Sequence, residues 1–399
     1  HGVQMGGAIT SQDLTVTLPS SPTVGTEMII IDSTGNASTN NIVIGRGGSK
    51  IKGGCNDALL DKDRIGVRLI YSDASQGWVT VTSANETAPA LNTTTFMSAS
   101  GGNTTITCGN YKTHIFTADG TFTVSSASNT APLNVVDYIV VAGGAGGGSN
   151  NYGGGSVPRG SGGGGAGGFR IFSTACGSNS PLNNSGASPN TSVTISGSPG
   201  SYPITIGAGG AGAPSGSPDA GSDGNNSVFS TVTSALGGKG GGHCNSTAGA
   251  GGSGGGGRNA VSGGAGNTPP VAPPQGNPGG DGGASSGTFN GSGGGGAGSA
   301  GSDGDPSGVG GAGSYIANPF IGPTAPSYGT AGPVSSTRYF AGGGAGSPGP
   351  GGAVSGGDGG GGPKGTAGTT NTGGGGGANS PGTGGAGGSG IVMIRYKYQ

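Results

Sequence analysis

The sequence predicts an all-β protein in which a small N-terminal β-domain precedes a β-framed glycine-rich domain of packed polyglycine II helices, with little or no α-helix. The 104 glycines and 25 prolines are too many for long helices, because each costs a helix interior about 1 and about 3 kcal/mol, respectively, relative to alanine. No segment keeps a 3.6-residue apolar period over three turns. Short β-branched segments that alternate apolar and polar residues recur instead, which indicates strands.

Residues 1–87 carry short strand patterns separated by turn residues, as expected of a small β-domain. The clearest strands lie at 27–32 and 65–71, and 76–81 ends the domain. We expect Trp78, the only tryptophan, to close its core. Residues 88–109 are predicted to be a linker to the glycine-rich domain.

The N-terminal strands carry a first resemblance. The ordered motifs Gly-Thr-Glu-Met-Ile-Ile-Ile-Asp, Ile-Gly-Val-Arg-Leu-Ile-Tyr and Gly-Trp-Val, within residues 20–82, resemble a small β-domain that recurs in bacteriophage tail fibres. Domains of that family form trimers in which each chain contributes part of a shared core, so the resemblance implies a homotrimer. A domain of about 60 residues with few large apolar side chains buries little surface alone, which is compatible with such sharing.

Glycine is concentrated in one part of the chain. Only 16 glycines precede Val141 and none follows Gly390, so the other 88 make up about 35% of residues 141–390. Such a region is either disordered or packed through its backbone. Disordered chains usually have high net charge, but only 8% of this chain is charged and its net charge is −1. We therefore expect an ordered glycine-rich domain over residues 110–399.

The frame of this domain is predicted from its most apolar strands, 135–141 and 391–398, which we expect to pair centrally. Between them, runs of glycine interrupted by alanine or serine show no sustained Gly-X-Y period, which excludes collagen. Their natural extended form is the left-handed three-residue helix, which has no internal hydrogen bonds. Such runs must therefore bond to neighbours or water. We expect a lattice of N–H···O bonds supplemented by Cα–H···O contacts.

The framing motifs carry a second resemblance. Phe-Thr-Ala-Asp-Gly-Thr-Phe-Thr-Val, Val-Asp-Tyr-Ile-Val-Val-Ala-Gly-Gly, Tyr-Pro-Ile-Thr-Ile-Gly and Gly-Ile-Val-Met-Ile-Arg-Tyr occur in order within residues 110–398. They resemble the glycine-rich domain found at the ends of phage tail fibres and adhesins, a family that also appears in cellular surface proteins. The resemblance implies stacked polyglycine helices whose variable tip loops contact a host receptor.

No catalytic residue, cofactor or metal site is predicted. The glycine runs lack the Gly-Lys-Ser/Thr sequence and following helix of a phosphate-binding loop. The pair Asp303 and Asp305 is better explained as a solvated turn than as a calcium or hydrolase site. A balanced charge argues against nucleic-acid binding, and the absence of an 18-residue apolar run argues against membrane insertion. Cys176 and Cys244 are candidates for a disulfide, although unpaired buried thiols are the simpler interpretation.

Aromatic residues in loops are the best candidates for receptor contact, since loops on rigid scaffolds carry function and aromatics supply contact area. The candidates are Tyr152, Tyr315, Phe320, Tyr328, Tyr339 and Phe340. The alternative is that these aromatics pack over the glycine lattice or a neighbouring subunit.

The sequence thus favours a viral tail fibre or adhesin subunit, present in the virion or outside the cell. Its expected partners are copies of itself, other tail or fibre proteins, and a host surface glycan or protein. The alternative is a structural protein of a cell surface, filament or matrix that assembles through the glycine-rich domain.

Overall fold

The computed structural model describes residues 14–81, 92–150, 159–174, 180–183, 191–197, 199–215, 219–242, 247–283, 290–305, 307–322, 327–348 and 352–399. Over these residues the fold is almost entirely β, which confirms the predicted class. The helical elements described are a 3-10 turn at Ala131–Asn134 and a one-turn helix, α1, at Asn318–Ile321. The chain divides into two compact units: residues 1–96 with 128–131 and Gln399, and residues 97–127 with 132–398.

The first unit contains two sheets with strand orders β1-β3-β4-β7 and β2-β5-β6. Their bounds are β1 Leu14–Thr17, β2 Glu27–Ile31, β3 Ile42–Gly45, β4 Ala58–Leu60, β5 Gly66–Asp73, β6 Gly77–Thr80 and β7 Asn92–Thr93. One apolar cluster draws side chains from both sheets and includes Ile44, Leu69 and Trp78. Trp78 is fully buried, as the sequence predicts.

Asp32 stabilises the turn that follows β2. Its carboxylate accepts hydrogen bonds from the backbone N–H groups of Gly35, Ala37 and Arg64 at 2.9–3.1 Å, and from the Thr34 hydroxyl at 3.0 Å. Burial alone would raise the pKa of Asp32, but these hydrogen bonds outweigh it and lower the pKa from 3.8 to about 2. The Ser33–Asn36 turn is thus held by a charged side chain.

The second unit is framed by two further sheets, of orders β13-β12-β20-β10-β9 and β17-β16-β15-β11-β8, and β14 pairs with the start of β12. A separate hairpin joins β18 and β19. The bounds are β8 Ser98–Ser100, β9 Thr104–Cys108, β10 Tyr111–Phe116, β11 Gly120–Ser126, β12 Val135–Val141, β13 Phe169–Phe172, β14 Val193–Thr194, β15 Gly200–Thr205, β16 Ser227–Phe229, β17 Val232–Ser234, β18 Ser314–Ala317, β19 Thr337–Phe340 and β20 Ile391–Lys397.

Strands β12 and β20 pair antiparallel at the centre of their sheet, from Asp137 opposite Arg395 to Val141 opposite Ile391. The predicted pairing of the most apolar segments is therefore observed. Alternate side chains of both strands enter a cluster with the second sheet, which includes Phe122 and Phe229. The intervening side chains enter a cluster on the opposite face. Burial on both faces explains why these strands are continuously apolar.

The described residues of the predicted linker at 88–109 include strands. Strands β7, β8 and β9 lie there, and β8 and β9 pair with β11 and β10. Met97 and Ile106 are 2% and 7% exposed because each packs into a cluster of the second unit. The short strands lacked a clear period because few of their side chains are buried.

Five runs, hereafter the inner runs, form the centre of the glycine-rich unit, and all of their residues have negative or fully extended φ. Their residues are almost all buried, and they span 142–149, 160–168, 291–298, 342–347 and 374–378. In run 142–149 the backbone donors change partner with a period of three. Gly143, Gly146 and Ser149 donate to residues 219–225, Gly144 and Gly147 donate to 385–388, and Ala145 and Gly148 donate to 162–165.

The carbonyls of run 142–149 also change partner with a period of three, and they accept from three other runs. The donors are Gly237 and Gly240 in the first, Gly210 and Ala213 in the second, and Gly376 and Asn379 in the third. The run therefore has six bonded neighbours, three through N–H groups and three through C=O groups. Run 160–168 likewise donates to three runs and accepts from three others. A three-residue helix presents its backbone groups in three directions, so this network is the predicted packing of polyglycine II helices.

The spacing of the runs requires glycine at most positions. A Cβ placed on Gly375 would overlap the carbonyl oxygen of Gly164, and one on Gly164 would overlap that of Ala145. Alanine occurs where a methyl group fits, and Ala145, Ala166 and Ala345 are fully buried. The runs can therefore form hydrogen bonds of 2.7–3.2 Å with one another only because glycine has no side chain to keep them apart.

We expect Gly375→Ala to destabilise the second unit by about 1–3 kcal/mol or more, because its methyl group would push two inner runs apart. Thermal unfolding followed by circular dichroism measures the effect. The control is Gly120→Ala, whose Cβ would meet only the Phe116 ring at 3.3 Å and should cost less than about 0.5 kcal/mol. Equal losses in the two variants would show that close backbone packing does not limit stability.

Candidate functional site

The inner runs begin at the strands and end at a common opposite end. Strand β12 continues into run 142–149, run 160–168 returns to β13, and β19 continues into run 342–347. We call the end remote from the strands the lattice tip. Its described residues include 149–150, 159–161, 258–260, 364–365 and 379–382. The chain leaves the lattice there at Asn150 and returns to it at Arg159.

A network of side-chain hydrogen bonds closes the lattice tip. The Ser149 hydroxyl donates to the carbonyl of Gly382 at 2.6 Å. The Asn150 amide and the Ser380 hydroxyl both donate to the carbonyl of Arg159, at 2.6 and 2.7 Å. These bonds give the last carbonyls partners where no further glycine run is available. The loops of the tip are therefore anchored at fixed points.

The described part of the tip carries charge of both signs. Arg159 and Lys364 are half-buried and Arg258 is 6% exposed, whereas Asp219 and Asp305 are exposed. Burial lowers the pKa of Lys364. The tip therefore offers hydrogen-bond donors and acceptors, but its electrostatic potential is not of one sign. Such a surface is better suited to contact with a polar surface than to binding a polyanion.

Acidic residues at the edge of the lattice accept backbone N–H groups. The carboxylate of Asp303 accepts from the N–H of Asp281, and that of Asp223 accepts from Lys239, each at 2.8 Å. The Asp281 carboxylate accepts from Gly263 at 3.0 Å. Asp303 therefore has a structural role in the turn that the sequence predicts. Among the described residues, no group of three or more His, Cys, Asp or Glu side chains is placed to hold a metal ion.

Three of the predicted receptor-contact aromatics belong to the interior. Phe320, Tyr339 and Phe340 are 3%, 5% and 0% exposed. Phe320 and Phe340 pack with Ile115, Ile139 and other side chains on the outer face of the β12–β20 sheet. The segment 314–340 therefore covers this sheet, which is the alternative that the sequence left open for these residues.

Two other candidates are half-buried in the same segment. The Tyr315 ring packs on Tyr339 with centroids 5.1 Å apart. The Tyr328 hydroxyl donates to Thr104 at 3.0 Å, and its carbonyl accepts from Arg338 at 2.7 Å. The structure brings five of the six candidates into one segment beside the strands, away from the lattice tip. Receptor contact by Tyr315 and Tyr328 stays a prediction.

Tyr152, Cys176 and Cys244 lie outside the described residues, and the disulfide stays a prediction. The two described cysteines, Cys55 and Cys108, form no disulfide. Tyr152 follows Asn150 closely in sequence, and the chain re-enters the lattice at Arg159. Both flanking residues belong to the lattice tip.

No local motif indicates the buried ion pair between β12 and β20. Arg395 lies 3.4 Å from the Asp137 carboxylate, and its guanidinium stacks 3.9 Å from the centre of the Tyr111 ring. Burial raises the pKa of Asp137, although hydrogen bonds from Thr174 and the charge of Arg395 act against it. The strand register brings the pair together, so neither residue is recognisable from local sequence.

Together, the strand frame and the bonded runs define an all-β protein built on a polyglycine II lattice. A family model described as a glycine-rich domain matches residues 116–397, and the chain belongs to this family. None of the curated proteins with which we compared the chain matches it. Within the described residues, no helix is both long and apolar enough to cross a membrane.

We expect Phe340→Ala to lower the free energy of unfolding of the second unit by about 3–5 kcal/mol, because it leaves a cavity beneath the 314–340 segment. Val334→Ala in the same segment is the control. Val334 is 36% exposed, so its truncation should change stability by less than about 0.5 kcal/mol. Thermal unfolding checks both variants. If Phe340→Ala left the stability unchanged, Phe340 would again be a candidate for receptor contact.

Proposed function

We propose that the protein is a fibre or adhesin subunit of a viral tail that binds a host surface glycan or protein through loops at the lattice tip. The observation that carries this proposal is the common end of the inner runs, where side-chain hydrogen bonds anchor the loops. Loops on a rigid scaffold can present a defined surface while varying in sequence. The location follows from the proposal: the protein would stand on the virion or outside the cell.

The backbone lattice favours binding over catalysis. Its inner runs contribute no side chains larger than those of alanine and serine, and the acids at its edge bind backbone N–H groups. A stiff projection with contact groups at one end is suited to adhesion, in which several weak contacts add through multivalency. The resemblance of residues 110–398 to the ends of phage tail fibres supports the same function.

A sheet face in the first unit that is apolar except for the exposed Glu27–Arg68 ion pair supports the proposed homotrimer. Ile29 and Ile31 of β2 and Val81 beyond β6 are 39%, 55% and 42% exposed. Ile70 and Val79 pair across β5 and β6 and are half-buried. These five side chains share the outward face of the β2-β5-β6 sheet, because the alternate residues enter the core. Exposed apolar patches of this kind mark interfaces between subunits.

We expect the purified full chain to have three times the 36.8 kDa chain mass in light scattering coupled to size exclusion. The double variant Ile29→Lys/Ile31→Lys should be monomeric, because association would bury two charges. The control is Thr15→Lys/Thr17→Lys, which places the same charges on exposed positions of β1 and should remain trimeric. A monomeric wild-type chain, or dissociation of both variants alike, would contradict the trimer.

Receptor binding is tested with the labelled full chain on a panel of bacterial cells and an array of their surface polysaccharides. We expect binding to a subset, and Tyr152→Ala should weaken it at least tenfold because the described residues on either side of its segment, Asn150 and Arg159, belong to the tip. Tyr315→Ala, a truncation of the same residue type beside the strands, should bind like the wild type. Absence of binding together with end-to-end filaments in electron microscopy would support the structural alternative. Equal weakening by both variants would remove the tip from the proposal.

A further inference from the structure

A cavity of about 500 Å³ opens on the strand-bearing side of the second unit, away from the lattice tip. Its wall is formed by β13, by the segment before β14, by the β16–β17 hairpin and by the loop at 269–275. Arg170, Val232 and Gln275 are buried lining residues, and Asn226, Thr231 and Thr233 are exposed ones. The volume is within the range of small-molecule sites.

Arg170 is the charged residue of this cavity. It is 8% exposed, and its guanidinium makes no hydrogen bond or ion pair with any described residue. None of the residues that line the cavity is acidic. Burial lowers the pKa of Arg170, against a smaller effect of Tyr138 in the other direction.

The other buried arginine of the β12–β20 sheet shows the contrast. Arg395 pairs with Asp137 and stacks on Tyr111, so the fold supplies its counter-ion. A buried charge without a partner is unfavourable, and retaining one on the wall of an open cavity is typical of a site for an anion. Arginine suits a carboxylate in particular, because its planar fork can donate two parallel hydrogen bonds.

The remaining lining fixes the shape of the site and adds hydroxyl groups. The Gln275 side chain accepts from the N–H of Ala235 and donates to the carbonyl of Pro269, both at 2.9 Å, which holds the loop against β17. Asn226 accepts from Leu236 at 2.8 Å through its side-chain oxygen, which leaves its amide nitrogen as a donor for a ligand. Thr231 and Thr233 place hydroxyl groups at the opening.

The lining thus combines one buried guanidinium, several hydroxyl and amide groups, and apolar surface from Val232, Pro269 and Val271. A free phosphate or sulfate would use the guanidinium and the hydroxyl and amide groups, but not the apolar surface. A sugar with a carboxylate would use all three, since its ring hydroxyls bond to the polar groups and its C–H face packs on the apolar ones.

We propose that this cavity binds a uronic acid unit of an acidic polysaccharide, with Arg170 holding the carboxylate and Asn226, Thr231 and Thr233 holding ring hydroxyls. The site is independent of the loops at the lattice tip, so it extends the proposed function without resting on it. It would give the protein a second contact with an acidic glycan layer.

Calorimetric titration of the full chain with digalacturonate tests the proposal, and neutral digalactose is the paired ligand. We expect digalacturonate to bind and digalactose to bind at least tenfold more weakly. Arg170→Gln should weaken digalacturonate binding about ten- to a hundredfold. The control Arg159→Gln removes the same charge at the lattice tip and should leave binding unchanged.

Two further measurements distinguish other outcomes. Thr231→Val/Thr233→Val should weaken digalacturonate binding severalfold while leaving the charge of the cavity intact, and it provides the test if Arg170→Gln does not fold. A titration with acetylated triglutamate should show no comparable binding. Equal affinity for this peptide, equal affinity for digalactose, or equal weakening by Arg159→Gln and Arg170→Gln would each overturn the assignment. Unchanged cell binding of Tyr152→Ala would count against the tip proposal and leave this one intact.

Discussion

Backbone hydrogen bonds between neighbouring polyglycine runs are the interaction on which the glycine-rich unit depends. A three-residue helix satisfies none of its own N–H and C=O groups, so each run is stable only when other runs surround it. Run 142–149 shows the complete arrangement, with six neighbours that each take part of its backbone. The lattice is therefore cooperative: a run cannot be removed without leaving buried polar groups on several others. Such groups cost about 1–3 kcal/mol each when unpaired.

The strands fix the positions of the glycine runs, which backbone hydrogen bonding alone does not do. Glycine pays a large conformational entropy on ordering and buries little apolar surface, so the runs need an element that fixes their positions. The β12–β20 pair does this, because it is apolar on both faces and leads directly into runs 142–149 and 384–390. The β18–β19 hairpin, with Phe340 at its end, anchors run 342–347 in the same way. Side-chain packing of the strands thus sets the relative positions of the runs, and hydrogen bonds between their backbones maintain those positions along the lattice.

This division explains what could be predicted from the sequence. Strand patterns, the pairing of 135–141 with 391–398 and the polyglycine form all follow from local composition and period. The surroundings of single side chains do not, because they depend on elements distant in the chain. Phe320 and Phe340 lie in a loop-rich part of the sequence, as surface residues often do. In the fold they cover the apolar outer face of the β12–β20 sheet. Likewise, Arg170 and Arg395 both sit in apolar strands, and only the fold shows that Arg395 has an acidic partner.

The same division confines recognition chemistry to the ends of the lattice. Inner runs have no side chains larger than those of alanine and serine and no space between them for a ligand, since a methyl group added at most of their glycines would overlap a neighbouring backbone. Larger polar side chains therefore lie where runs stop: at the tip, with Asn150 and Arg159, and beside the strands, with Arg170 and the Thr231–Thr233 hairpin. Changes in either set leave the inter-run hydrogen bonds intact. A lattice of this kind permits its two ends to vary independently, so that the proposed receptor loops at the tip can change without altering the proposed carboxylate site beside the strands.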